Sequence, residues 1–222
     1  MKTTELLLVF LCLYSCVNGP QEGNVVTTDY GIDVSHHQDL IDWEQVPNVQ
    51  FVYIKATEGA TYQDKNYSQN LQGARKAGIP VGSYHYFRTT SSAHEQFENF
   101  RKNVPVDQQD LIPMVDIEER RNWTRSQFQD SLRVFMKLVE EHFGKAPMIY
   151  SVQNFYRDNG APEFNNYHLM LGRYNSEEPP SFKGKGHYTV WQYSEDGRIP
   201  GISKGVDLDR FHPDCSIEDI LL

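Results

Sequence analysis

From residue 30 onward, short runs of β-branched, aromatic and aliphatic residues alternate with stretches of helical periodicity, and few folds accommodate that alternation. The runs cover 30–34, 51–56, 81–87, 111–117, 148–152, 168–173, 188–193 and 206–208. Eight strands separated by helices point to one parallel α/β barrel. Helices are expected at 67–77, stopped by Gly78 and Pro80, at 93–103, and at 124–143. The last is the clearest. Phe128, Leu132, Phe135, Met136, Leu138 and Val139 make one apolar stripe, Trp123 to Ser126 offer caps, and Gly144 follows. Past residue 150 the intervals between runs shorten and gather Gly and Pro, as at Glu178-Pro179-Pro180 and Lys183-Gly184-Lys185-Gly186. Full crossover helices do not fit there, so the final part of the barrel is expected to be degenerate. The Gly-rich tetrapeptide lacks the setting of a phosphate loop and reads as a turn.

The 222 residues divide unevenly. Lys2 precedes an apolar run from Leu6 to Leu13, too short to span a bilayer and fitting the core of an export signal. Residues 1–19 are therefore read as a signal peptide, 20–29 as a short polar tether, and 30–222 as a single barrel domain. The segment Leu13-Tyr14-Ser15-Cys16 resembles a bacterial lipobox, which would leave Cys16 lipidated and the protein attached to the cell envelope. Ordinary cleavage near Val17-Asn18-Gly19, releasing a soluble secreted protein, is the alternative. With Cys12 and Cys16 in the leader, Cys215 is the domain's only cysteine, so neither a disulfide within it nor a Cys-rich metal site can form. Cys215 reads as a packed small residue. The net charge of -9 argues against nucleic acid, and against attraction to an anionic membrane, while suiting a neutral polymer. The 13 tyrosines offer flat apolar faces with polar tips, as a sugar-binding cleft requires.

In parallel barrels the functional groups lie at the C-terminal ends of strands, on loops that a rigid scaffold positions. That rule selects acids. Asp33 closes the first run, Asp116 and Glu118 close the fourth, and Asp207 lies in the last. On an extended strand, residues two apart project from the same face with attachment points roughly 6–7 Å apart. Behind Asp116 and Glu118 the chain is apolar, from Ile112 to Val115. Crowded carboxylates in such a place repel one another, which raises at least one pKa. A carboxyl kept protonated near neutral pH can protonate a glycosidic oxygen, while an ionised neighbour stabilises the developing positive charge. An isolated D-x-E is more often a helix cap beside a surface acid. The apolar approach and the similar setting of Asp33 favour the catalytic reading. His36 and His37 tempt a metal assignment, but adjacent strand residues point to opposite faces and His85 would be needed as a third ligand. No metal site is expected.

The motifs GIDVSHHQ (31–38), FVYIKATEG (51–59), GSYHYF (82–87), DIE (116–118), WQY (191–193) and VDL (206–208) occur in the order found in glycoside hydrolase family 25, the Chalaropsis-type muramidases. The chain resembles that family from Tyr30 to Phe211, and within it looks most similar to exported members from Bacteroidetes-type bacteria. The resemblance implies a TIM-like (β/α)5(β)3 barrel and a lysozyme that hydrolyses the β-1,4 bond between N-acetylmuramic acid and N-acetylglucosamine in peptidoglycan strands. By the same resemblance Glu118 would be the general acid. Asp116 would orient the sugar's 2-acetamido group, whose carbonyl attacks the anomeric carbon; direct attack by Asp116 is the alternative. Asp33 and Asp207 would hold charge and hydrogen bonds around that pair. No cofactor is implied, and a monomer is expected.

Other positions carry over with two readings each. Lys55 either binds substrate or forms an inward salt bridge. Tyr62, Tyr84 and Tyr150 either contact sugar or fill the barrel core, and Trp191 with its neighbour Gln192 poses the same choice. The stretch 169–174 departs from common family members, with Met170 and Gly172 where an aromatic and a small residue such as Trp and Ala often stand. Two further readings compete with the lysozyme: a non-catalytic glycan-binding protein on the same barrel, and a hydrolase of another N-acetylated polymer such as chitin.

Overall fold

The computed structural model describes residues 30–47, 49–174, 178–181 and 186–222. The leader, the tether and most of the Gly-rich turn at 183–186 lie outside those residues. The strands are β1 (Gly31–Val34), β2 (Val52–Glu58), β3 (Tyr62–Gln63), β4 (Val81–Tyr86), β5 (Met114–Asp116), β6 (Met148–Val152), β7 (Leu169–Gly172), β8 (Val190–Gly197) and β9 (Val206–Phe211). Among them run the helices α1 (Tyr67–Lys76), α2 (Ala93–Asn103), α3 (Arg125–Phe143) and α4 (Gln153–Asn159). The sheet order β1-β9-β8-β7-β6-β5-β4-β2, closed by pairing of β1 with β2, makes an eight-stranded barrel, and β3 folds back on β2 as a short hairpin.

The barrel runs parallel from β1 through β8, but β9 is antiparallel to both its neighbours. It is therefore TIM-like and not a TIM barrel proper, whose strands are all parallel. Past residue 150 the crossovers thin as expected: α4 is a seven-residue helix that follows β6 without a loop, and no α-helix follows it among the described residues. The first crossover is thin too, with a 3-10 turn at His36–Gln38 and no α-helix among the described residues between β1 and β2. None of the described helices is long and apolar enough to cross a membrane.

Two apolar layers hold the barrel. Outward-facing strand residues such as Ile32, Val52, Ile54, Val115 and Ile149 pack against the helices. Helix α3 buries Phe128, Leu132, Phe135, Met136, Val139 and Phe143 there, the predicted stripe shifted at its end from Leu138 to Phe143. Each such side chain contributes about 1.5–3 kcal/mol on full burial. The helix starts where Thr124 and Gln127 form a capping box and stops at Gly144, whose φ of 80° is left-handed and suits a residue without a side chain. Inside the barrel, Phe51, Tyr53, Met114, Met148, Met170 and Val190 fill the floor. The Tyr53 hydroxyl donates to the carbonyl of Ile112 at 3.0 Å. With the floor plugged, the barrel opens only at the other end.

Candidate active site

The open end carries a cleft of about 320 Å³ lined by Asp33, Lys55, Tyr84, Asp116, Glu118, Tyr150, Gln192 and Asp207, among others. All four acids selected from the sequence meet here, from three separate parts of the chain. Asp33 is the last but one residue of β1, and Asp116 ends β5. Glu118 stands two residues beyond that strand, in the loop, so the extended stretch is shorter than the sequence implied. Asp207 arrives from the start of β9. Because that strand runs backwards, its beginning, not its end, reaches the cleft, and Asp207 pairs with Asp33 across the ladder. A wider groove of about 830 Å³ lies at the barrel floor and includes none of these acids.

The acids sit in graded surroundings. Asp116 is buried, and its Oδ1 has no hydrogen-bond partner among the described residues. Burial first, and Glu118 second, push its pKa well above the carboxylate range. Glu118 is open to solvent on one side. Partial burial still raises its pKa, against the Tyr86 hydroxyl, which donates to Oε2 at 3.4 Å and favours the ionised form. Asp33 is raised well above its ordinary value by burial and by repulsion from Asp207 and Asp209. Asp207 is pushed up to about 6 by burial, and a hydrogen bond with Asp33 pulls it partly back. Within this pair the more deeply buried Asp33 is also raised, with Asp207 adding to the burial. Burial and mutual repulsion thus bias these acids toward their protonated forms to different degrees, the kind of division of labour that acid-assisted glycosidic cleavage needs.

Around them runs a polar web. Gln192 donates from Nε2 to Asp33 at 2.5 Å, and its Oε1 accepts from Tyr150 and Tyr174, each at 2.7 Å. Lys55 pairs with Glu58 at 2.7 Å, and Arg88 bridges Glu58 and Glu119 at 2.6 and 2.5 Å. Lys55 therefore lines the cleft as one end of an ion-pair chain, the inward salt bridge being one of its two expected readings. Tyr84 and Tyr150 are buried, yet both line the cleft.

Three expectations change. Trp191 turns away from the cleft: strand alternation sends Gln192 inward and Trp191 outward, where its indole donates to the Arg173 carbonyl at 3.0 Å within the outer apolar layer. Tyr62 stands outside the cleft lining, exposed, with its hydroxyl 3.2 Å from His36 Nδ1. His36 and His37 occupy a 3-10 turn, not a strand. His36 bonds Asp64 at 2.7 Å and His37 lines the cleft. His85 is buried against Phe100 and Phe135 and bonded to Thr57 and Gln96, so the three histidines do not converge.

Sequence reasoning passed over Tyr86, Tyr174 and Asp209. Tyr86 and Asp209 were within reach, since each lies two residues from a selected position on the same strand face. Tyr174 lies beyond β7 in irregular chain and carries no periodic signal. Asp209 is fully buried, with both oxygens unpartnered among the described residues. Burial, with Asp207 adding to it, pushes its pKa well up.

A plugged barrel with convergent carboxylates of raised pKa at its mouth is the architecture of a glycoside-cleaving enzyme. The sequence pattern of Glycosyl hydrolases family 25 matches residues 32–202. The Escherichia coli (strain K12) protein YegX is 36% identical over 192 residues, covering 83% of this chain and 70% of its own length. Lysozyme M1 of Streptomyces globisporus is 30% identical over 215 residues, covering 87% and 72%. The structure of a family 25 glycosyl hydrolase from Bacillus anthracis superposes with a TM-score of 0.77 at 30% identity, covering 84% of this chain and 90% of that one. The chain belongs to glycoside hydrolase family 25.

Proposed function

We propose that this enzyme is a lysozyme that cleaves the β-1,4 bond between N-acetylmuramic acid and N-acetylglucosamine in peptidoglycan. The observation that carries the reading is the meeting of Asp116 and Glu118 with Asp33 and Asp207 in one cleft. Glu118, solvent-accessible and with its pKa raised by partial burial, is the general acid that protonates the leaving oxygen. Asp116, one step deeper, orients the sugar's 2-acetamido group so that its carbonyl attacks the anomeric carbon. Asp33 and Asp207 hold the hydrogen bonds and charge around the pair, with Gln192 fixing Asp33. Neither glycan binding alone nor chitin cleavage is favoured: a binding site has no use for crowded acids raised in pKa, and the Streptomyces globisporus relative bears the name lysozyme.

The decisive experiment is mass spectrometry of products from purified peptidoglycan. Products with N-acetylmuramic acid at the reducing end support the proposal, and their loss in a folded Glu118→Gln variant supports the role of that residue. Undiminished cleavage by Glu118→Gln removes the role, and cleavage of chitin in preference to peptidoglycan removes the substrate. The place of action is the cell wall, outside the cytoplasm. Lipid attachment at Cys16 is part of the same proposal, and the mass of the mature N-terminus tests it.

A further inference from the structure

The barrel floor, at the opposite end from the cleft, gathers three metal-ligating side chains that the glycosidase reading does not use. His187 lies just before β8, and His212 and Cys215 lie just after β9. The ligand atoms they offer all fall within 4.8 Å of one another. The two imidazoles stack with centroids 4.3 Å apart and planes 18° apart, and the Cys215 sulfur is 3.9 Å from His187 Nδ1. His212 and Cys215 also line the wide groove there. We propose that His187, His212 and Cys215 form a binding site for a borderline-soft divalent cation of the zinc class.

Two imidazole nitrogens and one thiolate make a set that zinc prefers over the oxygen-seeking magnesium and calcium. At zinc–nitrogen and zinc–sulfur lengths of about 2.0–2.3 Å, tetrahedral ligand atoms settle roughly 3.5 Å apart, so closure asks for a movement of about 1 Å. The exposed His187 ring can supply that by turning out of the stack. Its Nδ1 donates to the Tyr188 carbonyl at 2.8 Å, a bond of the kind that orients a metal-binding imidazole and leaves Nε2 free. His212 gives up the stack with His187 and the Asp214 N–H contact to its Nδ1 at 3.1 Å. The Asp214 carboxylate, 3.7 Å from the same nitrogen, or a water is placed for the fourth position. A bound ion would cross-link the approach to β8 with the segment that follows β9.

The test uses the full chain, stripped of metal, titrated with Zn²⁺ by calorimetry and with Co²⁺ by absorption. One equivalent of zinc, a thiolate-to-cobalt charge-transfer band and a zinc-dependent rise in melting temperature are expected. Cys215→Ser should abolish the band. His187→Ala, at an exposed position that the fold does not require, should weaken zinc binding by about 100-fold or more, at least the upper range seen for outer-shell changes. Zinc bound equally well by both variants, as at His36 and His37 or the leader cysteines, overturns the proposal. So does a cobalt complex without the thiolate band.

Discussion

Asp207 lies directly across the β1–β9 ladder from Asp33, and the pairing exists because β9 runs against β1. A parallel final strand would bring its far end to the cleft. The reversal lets two acids from opposite ends of the domain meet beside Gln192, and Asp209 follows on the same face, one step deeper.

Stability should fall as pH rises. Asp33, Asp116, Asp207 and Asp209 all have raised pKa values in the fold, so above the ordinary carboxylate range, where the acids lowered by the fold are ionised in both states, these groups make the native state bind more protons than the unfolded chain. Their stabilising contribution is complete below the ordinary carboxylate range. For Asp207 it is lost between pH 3.8 and about 6, and the deeper acids extend the decline upward. Asp209→Asn, which replaces an unpartnered buried acid by a neutral isostere, should gain about 1–3 kcal/mol at pH 8 and little at pH 4. Urea melts at both values check this. An equal effect at the two would refute it.

Tyr86→Phe should move the alkaline limb of the activity profile. Its hydroxyl favours ionised Glu118, so its loss raises the Glu118 pKa further and keeps the proposed acid protonated to higher pH. The profile of kcat/KM should shift upward by a few tenths of a pH unit, about what one long hydrogen bond is worth. A downward shift would contradict the assignment of Glu118.

Gln192→Leu should damage both fold and cleft. The substitution leaves Asp33, Tyr150 and Tyr174 without their shared partner, at a cost of about 2–4 kcal/mol for polar groups stranded in a buried place. Wall-cleaving activity per folded molecule should drop at least tenfold, a loss of about 1.4 kcal/mol in transition-state stabilisation. A calorimetric melt together with turbidity clearing measures both.

Trp191→Phe separates the two neighbours. It removes the bond to the Arg173 carbonyl and some outer packing, so about 1–2 kcal/mol of stability should go. Because Trp191 faces away from the cleft, KM for soluble glycan fragments should stay within twofold of wild type, well under 1 kcal/mol. A large rise in KM would return Trp191 to the cleft wall.

The strands are legible in the sequence because barrel strands are covered on both faces and so read as continuous apolar runs. The helix α2 spans the expected residues, and α3 starts within one of them, because Ser92 and Thr124 announce their starts. Helix α4 and strand β3 escape notice for lack of length: seven and two residues carry no measurable period. Within the site, the acids stand out because a carboxylate ending an apolar run is chemically conspicuous. What the sequence leaves open is which of two adjacent residues turns inward. Trp191 and Gln192 are equally plausible until the register of β7, β8 and β9 is fixed. Lys55 and Glu58 stand only three positions apart, but Arg88, 30 positions beyond Glu58, joins their pair only in three dimensions.

The floor of the barrel also receives both ends of the described chain. Tyr30 leads into β1 from below, and the backbone of Leu222 bonds Asp110 beside the approach to β5. Anything that grips the domain at Tyr30 or Leu222 meets the face opposite its mouth. A contact made at that end leaves the cleft uncovered, with the body of the domain acting as the stand-off.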